Sequence, residues 1–288
     1  MFPIIPANSV TAAVSGNQEG IFGFGNAGAG PGTVTGVTNL VSNAGVVASD
    51  VSAVGTARQI LSACEYGGDK GIFGFGYISG TNYSMTNLVS NTGVVASDTA
   101  GVGTAKRGGA ACGYGDDKGI FGFGYTSSHI STSNLVSNAG VVASDTAGVG
   151  TARQGLMACE YGGDKGIFGY GTTGSLTAVT NLVSNAGVVA TDTTGVGTAR
   201  ERGAACGYGG DKGIFGYGHD GSLQSLTNLV SNAGVVATDT TGVGTDRYSL
   251  ASCEYGEDKG IFGFGDPGSD SDITNLVSNT GVVAADVT

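Results

Sequence analysis

Six near-copies of one unit fill this chain, and any fold must accommodate them. The stretch YGGDKGIFGYG occurs twice unchanged, at Tyr161–Gly171 and Tyr208–Gly218. With the glycine of GIF as marker, copies begin at Gly20, Gly71, Gly119, Gly166, Gly213 and Gly260, spaced by 51, 48, 47, 47 and 47 residues. A second block, TNLVSN or nearly so, starts at Thr38, Thr86, Ser133, Thr180, Thr227 and Thr274. No stretch is left for a linker or second domain. Residues 1–288 read as one domain of six units, about 1–52, 53–100, 101–147, 148–194, 195–241 and 242–288.

Within one unit, four short runs alternate in strand fashion between turn signals, and none has helical periodicity. In the fourth unit they are GLMACEY, KGIFGYG, TNLVS and GVVAT, here called first to fourth strand. The first turn is GGDK; the last is SNAG or SNTG, where Asn opens the turn and Gly supplies the positive φ. Simple alternation puts Phe168 and Tyr170 on one face of the second strand, Ile167 and Gly169 on the other. Glycines there let a neighbouring sheet approach closely while aromatic rings fill the gap. One such sheet cannot bury both faces, so the units must stack. A four-stranded repeat of about 40–50 residues predicts an all-β fold, a six-bladed β-propeller of antiparallel blades. Aligned on the repeat, Met1–Ala7 falls on the positions of Ser52–Arg58, so the apolar MFPIIP is expected at the junction of the first and sixth blades.

The segment TARQGLMACEYGGDKGIFGYG resembles a kelch repeat: an Arg, a strand of small residues, a turn, then a glycine-rich strand. Its second half, TNLVSNAGVVATD, departs from the kelch pattern, and the chain has no Trp. The whole chain also resembles near-identical propeller repeats of phage and marine metagenomic origin. Kelch-like propellers imply an interaction platform, some with an enzyme site near the axis.

Composition narrows the partners. Forty per cent of residues are apolar and 12% charged, ample for a core, and the 56 glycines recur at fixed offsets rather than as low complexity. Net charge is −11, and the twelve Lys and Arg are spread one or two per unit, so nucleic acid is a poor partner. No window reaches the ~18 apolar residues of a membrane span, and MFPIIPANSVTAAVSG lacks the basic start of a secretion signal. Membrane insertion is not expected; a leaderless chain fits the cytoplasm or a virus particle.

The first and third connections form one face, written almost alike in every unit. On the other face the second-to-third connections all differ: NAGAGPGTVTGV, YISGTNYSM, YTSSHIST, TTGSLTAV, HDGSLQSL and DPGSDSDI. Variable loops on a constant scaffold are where binding residues gather, which nominates Tyr77, Tyr83, Tyr125, His129, His219 and Asp220. The links between units add Arg58, Lys106, Arg153, Arg200 and Arg247, with Ala7 in the sixth place. Five cations near a central opening suit an anionic ligand, whereas pairing with Asp50, Asp98, Asp145, Asp192, Asp239 and Asp286 would make them structural.

Cys64, Cys112, Cys159, Cys206 and Cys253 share one first-strand position, where unit one has Ala13; they read as free, small packing residues. Pairs such as Asp69–Lys70 read as turn chemistry. Asp266, Asp270 and Asp272 are a weak calcium candidate without an established spacing; otherwise no metal and no cofactor are implied. The two histidines read as solvated loop residues, with no nucleophile at an interpretable spacing. The expected function is a non-enzymatic propeller that recognises a protein or glycan ligand through its variable face, alone or within a larger assembly. A propeller lectin is the alternative, and an enzyme with one axial site a third.

Overall fold

The computed structural model describes residues 18–28 and 33–288; Met1–Ala7 and Ala13 lie outside them. No described residue is helical, and the chain forms small antiparallel sheets of two or three strands, one per unit. Unit one pairs Gly20–Asn26 with Val34–Val41. The three-stranded sheets are Ser62–Tyr66, Lys70–Gly74 and Thr86–Val89 in unit two; Ala110–Tyr114, Lys118–Tyr125 and His129–Val136 in unit three; and Met157–Tyr161, Lys165–Gly169 and Thr180–Val183 in unit four. Units five and six repeat this with Ala204–Tyr208, Lys212–His219 and Leu223–Val230, then Ala251–Tyr255, Lys259–Gly263 and Thr274–Val277. A small hairpin, Tyr77–Ile78 with Thr81–Asn82, extends unit two.

The expected fourth strand is present only as isolated bridges. In unit four Val183 pairs with Val189 and Thr180 with Thr193. Between them the turn is closed by the Gly187 amide donating to the Ser184 carbonyl at 2.9 Å, with Gly187 at φ 75°. Ser184, not the asparagine, organises that turn: its hydroxyl accepts the Ala186 and Val188 amides. Asn185 instead donates to Asp164 in the other turn on that face.

The second strand departs from simple alternation. In every unit its second aromatic has positive φ: Phe24, Phe75, Phe123, Tyr170, Tyr217 and Phe264 lie at 60–63°. In the long hairpins of units one, three and five the pairing register shifts at this place. Such a bulge reverses the facing of every residue beyond it. Phe168 and Tyr170 therefore do not share a face: Phe168 packs with Phe123 of the preceding unit, Tyr170 with Phe215 of the following one.

That reversal builds the junctions. The first phenylalanine of each second strand sits over the glycine of the preceding unit's strand. A Cβ at Gly23, Gly74, Gly122, Gly169, Gly216 or Gly263 would stand only 2.7–3.0 Å from the ring of Phe73, Phe121, Phe168, Phe215, Phe262 or Phe22 respectively. The last pair returns to unit one, so the six contacts form a closed cycle. Around each lies a small core, such as Cys159, Ile167 and Tyr170 of unit four with Phe215, Val230 and Val236 of unit five. The cysteines are free, each sulfur lying against the next unit's GIF glycine, as Cys112 does on Gly166.

First strands of adjacent units meet through a run of backbone bonds: Gly108 to the Ile60 carbonyl, Gly155 to Gly108, Arg202 to Gly155 and Ser249 to Arg202, at 2.7–3.1 Å. The residue at this step has φ of 55–64° whether glycine or not. Isoleucine is poorly suited to that conformation, which costs an L-residue about 1–2 kcal/mol. Ile60→Gly is expected to raise the melting temperature by about 2 °C, since roughly half the relieved strain survives the extra freedom glycine has when unfolded. Gly169→Ala, forced against Phe215, should lower stability by about 2 kcal/mol. Thermal and urea unfolding of the two variants would test both signs.

Candidate functional site

The five cations are scaffold. Arg58, Arg153, Arg200 and Arg247 are fully buried and Lys106 nearly so. Each lies over the second aromatic of the preceding unit, 4.2–4.6 Å from the ring centre: Phe24, Phe75, Phe123, Tyr170 and Tyr217 in order. Arg153 donates to the carbonyls of Tyr170 and Thr151 and to Asn181 Oδ1 within its own unit. Its own carbonyl accepts the Gly124 amide of the preceding unit at 3.0 Å. The expectation of an open cation ring is corrected: repeated basic residues beside repeated aromatic ones were available for stacking and were buried by it.

Nor do the arginines form ion pairs with the repeated aspartates. Asp192 accepts from the Thr151 amide and hydroxyl and from Asn181, tying the start of its unit to its end. These bonds outweigh burial and hold its carboxyl below the usual range. Burial pushes Arg58 and Arg153 down to about 10 and Lys106 to about 8. Arg153→Ala is therefore expected to destabilise the protein by about 3 kcal/mol, by unpairing Asn181 and emptying the stack; calorimetry would read the loss.

A second feature was not visible in the repeat. A cavity of about 180 Å³, lined by all six units, receives Glu65, Glu160 and Glu254 from alternate first strands. The intervening units place Gly113 and Gly207 at that position. Glu160 and Glu254 occupy the space those glycines leave, where any Cβ would overlap the carboxylate. Glu254 accepts the Gly207 amide at 2.9 Å. Enclosure by protein raises all three carboxyls, Glu254 to about 8, and mutual repulsion adds to Glu160 and Glu254. A raised carboxyl favours folding while protonated, so its contribution is complete below about pH 4 and disappears as pH rises through about 8. Glu254→Gln should gain stability relative to the wild type between pH 5 and pH 8.5; urea unfolding of both proteins at each pH measures the difference, in which the repeated aspartates cancel.

The variable face is more ordered than a set of loops. In units three and five the second and third strands run on as eight-residue partners, leaving turns of three residues at 126–128 and 220–222. His129 thus lies in a strand, its ring 5.4 Å from Tyr125 and its Nε2 buried without a partner. Asp220 is committed to its turn, accepting from Ser222 and Gln224. Tyr77 and Tyr125 converge on Arg107, which lies 4.3 and 5.1 Å from their ring centres, while Tyr83 bridges to Lys106. Asp266, Asp270 and Asp272 form no metal-ligating cluster among the described residues.

One pattern organises this face. The residue after each buried cation bridges to the residue after the strand's GFG or GYG: Gln59 to Tyr77, Arg107 to Tyr125, Gln154 to Thr172, Glu201 to His219 and Tyr248 to Asp266. Backbone geometry is constant, and no two of the five side-chain pairs are the same. Between units five and six a cleft of about 440 Å³ opens, lined by Glu201, Arg202, His219, Leu223, Tyr248, Asp266 and Gly268. Arg202 Nε is 3.7 Å from Glu201, its guanidinium 5.9 Å from the Tyr248 ring, and burial together with the Asp266 charge pushes the Tyr248 hydroxyl up. Of the residues singled out in the variable connections, His219 lies in the cleft, as does Asp266, which the sequence suggested only as a calcium ligand. Glu201, Arg202 and Tyr248 were missed, although their signal was that they vary one or two places after a position that is basic in five of the six units.

No protein-family model and no curated protein matches the chain. No described helix is long and apolar enough to cross a membrane.

Proposed function

We propose that the protein is a non-catalytic six-bladed β-propeller that recognises a ligand or protein partner through the face bearing its second-to-third connections. The supporting observation is the paired positions just described: five bridges of one geometry carry five different side-chain pairs. Scaffold positions around them repeat because each is fixed by a contact, whereas two of these pairs, Glu201–His219 and Tyr248–Asp266, line an open cleft. The closed cycle of Phe-on-Gly contacts supports the bladed ring, with the bridged fourth segment as each blade's outer edge. A rigid frame with interchangeable side chains at one end is what recognition requires.

The test is a variant in which the connections of units three and five take the sequence of unit four, TTGSLTAV. It should unfold at about the wild-type temperature. On microarrays of glycans and of purified proteins, wild-type signals should disappear. Signals retained in full by a folded variant would overturn the reading.

A further inference from the structure

We propose that the cleft between units five and six binds a neutral saccharide, with Arg202, His219, Tyr248, Asp266 and Glu201 as its contacts. The inference rests on the recognition reading above and adds the class of ligand and the place where it binds.

The cleft combines three kinds of group that a sugar ring uses together. Glu201 and Asp266 are acceptors for hydroxyl protons. Arg202 is a donor, its side chain 52% exposed and therefore reachable, unlike the fully buried Arg200 two residues earlier. His219 Nδ1 accepts the Gly221 amide at 3.2 Å, which fixes the ring and leaves Nε2 as a further donor. Tyr248 supplies an aromatic wall, placed by the backbone bridge to Asp266 and by the neighbouring His219 ring 5.9 Å away. A hydroxyl both donates and accepts, so a polyol uses this alternation in full. An anion would face two carboxylates against one guanidinium that Glu201 already partly neutralises. A cation would meet Arg202.

Backbone strain gives a second, independent reason. Arg202 has φ 56° at the step where units three and four place Gly108 and Gly155. That conformation disfavours a long side chain, yet unit five carries one there, aimed into the cleft. Units two and six hold Ile60 and Ser249 at the same φ, but neither lines the cleft, and the strained residue that does is the one with a long charged side chain. The unit-two counterpart of this junction is closed, because Arg107 is stacked between Tyr77 and Tyr125.

Residues from other units provide substitutions already compatible with the fold. Arg202→Gly copies units three and four; Tyr248→Gln copies Gln59 and Gln154. The full chain and both variants would be applied to an array of neutral oligosaccharides ending in mannose, galactose, glucose or N-acetylhexosamine, with sialylated and sulfated glycans alongside. Wild-type protein is expected to bind neutral glycans, with no change on chelation of divalent ions. Arg202→Gly should weaken binding at least about tenfold, the range for one charged hydrogen bond, while its melting temperature stays level or rises. Tyr248→Gln should weaken it comparably. Neutral-glycan binding that survives in both variants would overturn the assignment of the site. Absence of neutral-glycan binding would overturn the ligand class. Binding of an acidic glycan or a protein that the unit-four connection variant abolishes would overturn the saccharide inference while leaving recognition by this face intact.

Discussion

Everything in this molecule depends on a phenylalanine resting where a neighbour has no side chain. Each Phe of GIFG fills the space above the preceding unit's second glycine, and the sixth contact returns to the first unit. Neither partner has an alternative: a methyl group at the glycine meets the ring, and a smaller residue at the phenylalanine opens a cavity. Because the contact lies between units, no unit can bury its own aromatic residues, and the repetition follows from the packing. The same junction explains the buried arginines. Each closes the top of a junction by stacking on the second aromatic, whose ring the bulge has turned towards the next unit.

The inner wall shows how repetition and difference coexist. Six identical first strands could not converge with six glutamates, since each carboxylate needs the volume of its neighbour's side chain. Alternation of Glu160 and Glu254 with Gly113 and Gly207 solves the steric problem and halves the number of charges. The remaining carboxylates still repel, which raises their proton affinity. The long hairpins of units three and five coincide with the glycine-bearing strands, so the molecule is built from pairs of unlike units as well as from single ones.

Period, antiparallel sheets, the role of strand glycines and the free cysteines were legible in the sequence, because each follows from spacing or from a residue's size. The bulge was not. Nothing in GIFGYG announces that Tyr170 will adopt positive φ, a conformation its own propensities oppose and only the junction enforces. Misplacing that one residue hid the stacking of Arg200 on Tyr170 and made the cations look available. The site was partly legible: His219 and Asp266 sit in segments that vary visibly, whereas Glu201 and Tyr248 sit beside a position that is basic in five of the six units. Their constant separation of 18 residues from the partner across each bridge is readable in retrospect, from Gln59 and Tyr77 to Tyr248 and Asp266.

Variation among near-identical units has two sources, and conformational cost separates them. A change that the backbone tolerates, such as Thr for Ala in the turn at 92, carries no information. A change that the backbone resists is different. Arg202 and Ile60 occupy a left-handed step that glycine fills in units three and four and serine in unit six, and each lowers the stability of a protein whose margin is only about 5–15 kcal/mol. Arg202 lies on the wall of the cleft between units five and six, and Ile60 is an exposed apolar side chain. An exposed apolar group gains nothing from water to offset the strain, whereas Arg202 brings a charged donor to the cleft wall. On this view the repeat itself is the instrument for reading the site: five other units state what the backbone prefers at each position, and departures against that preference mark where the side chain is used.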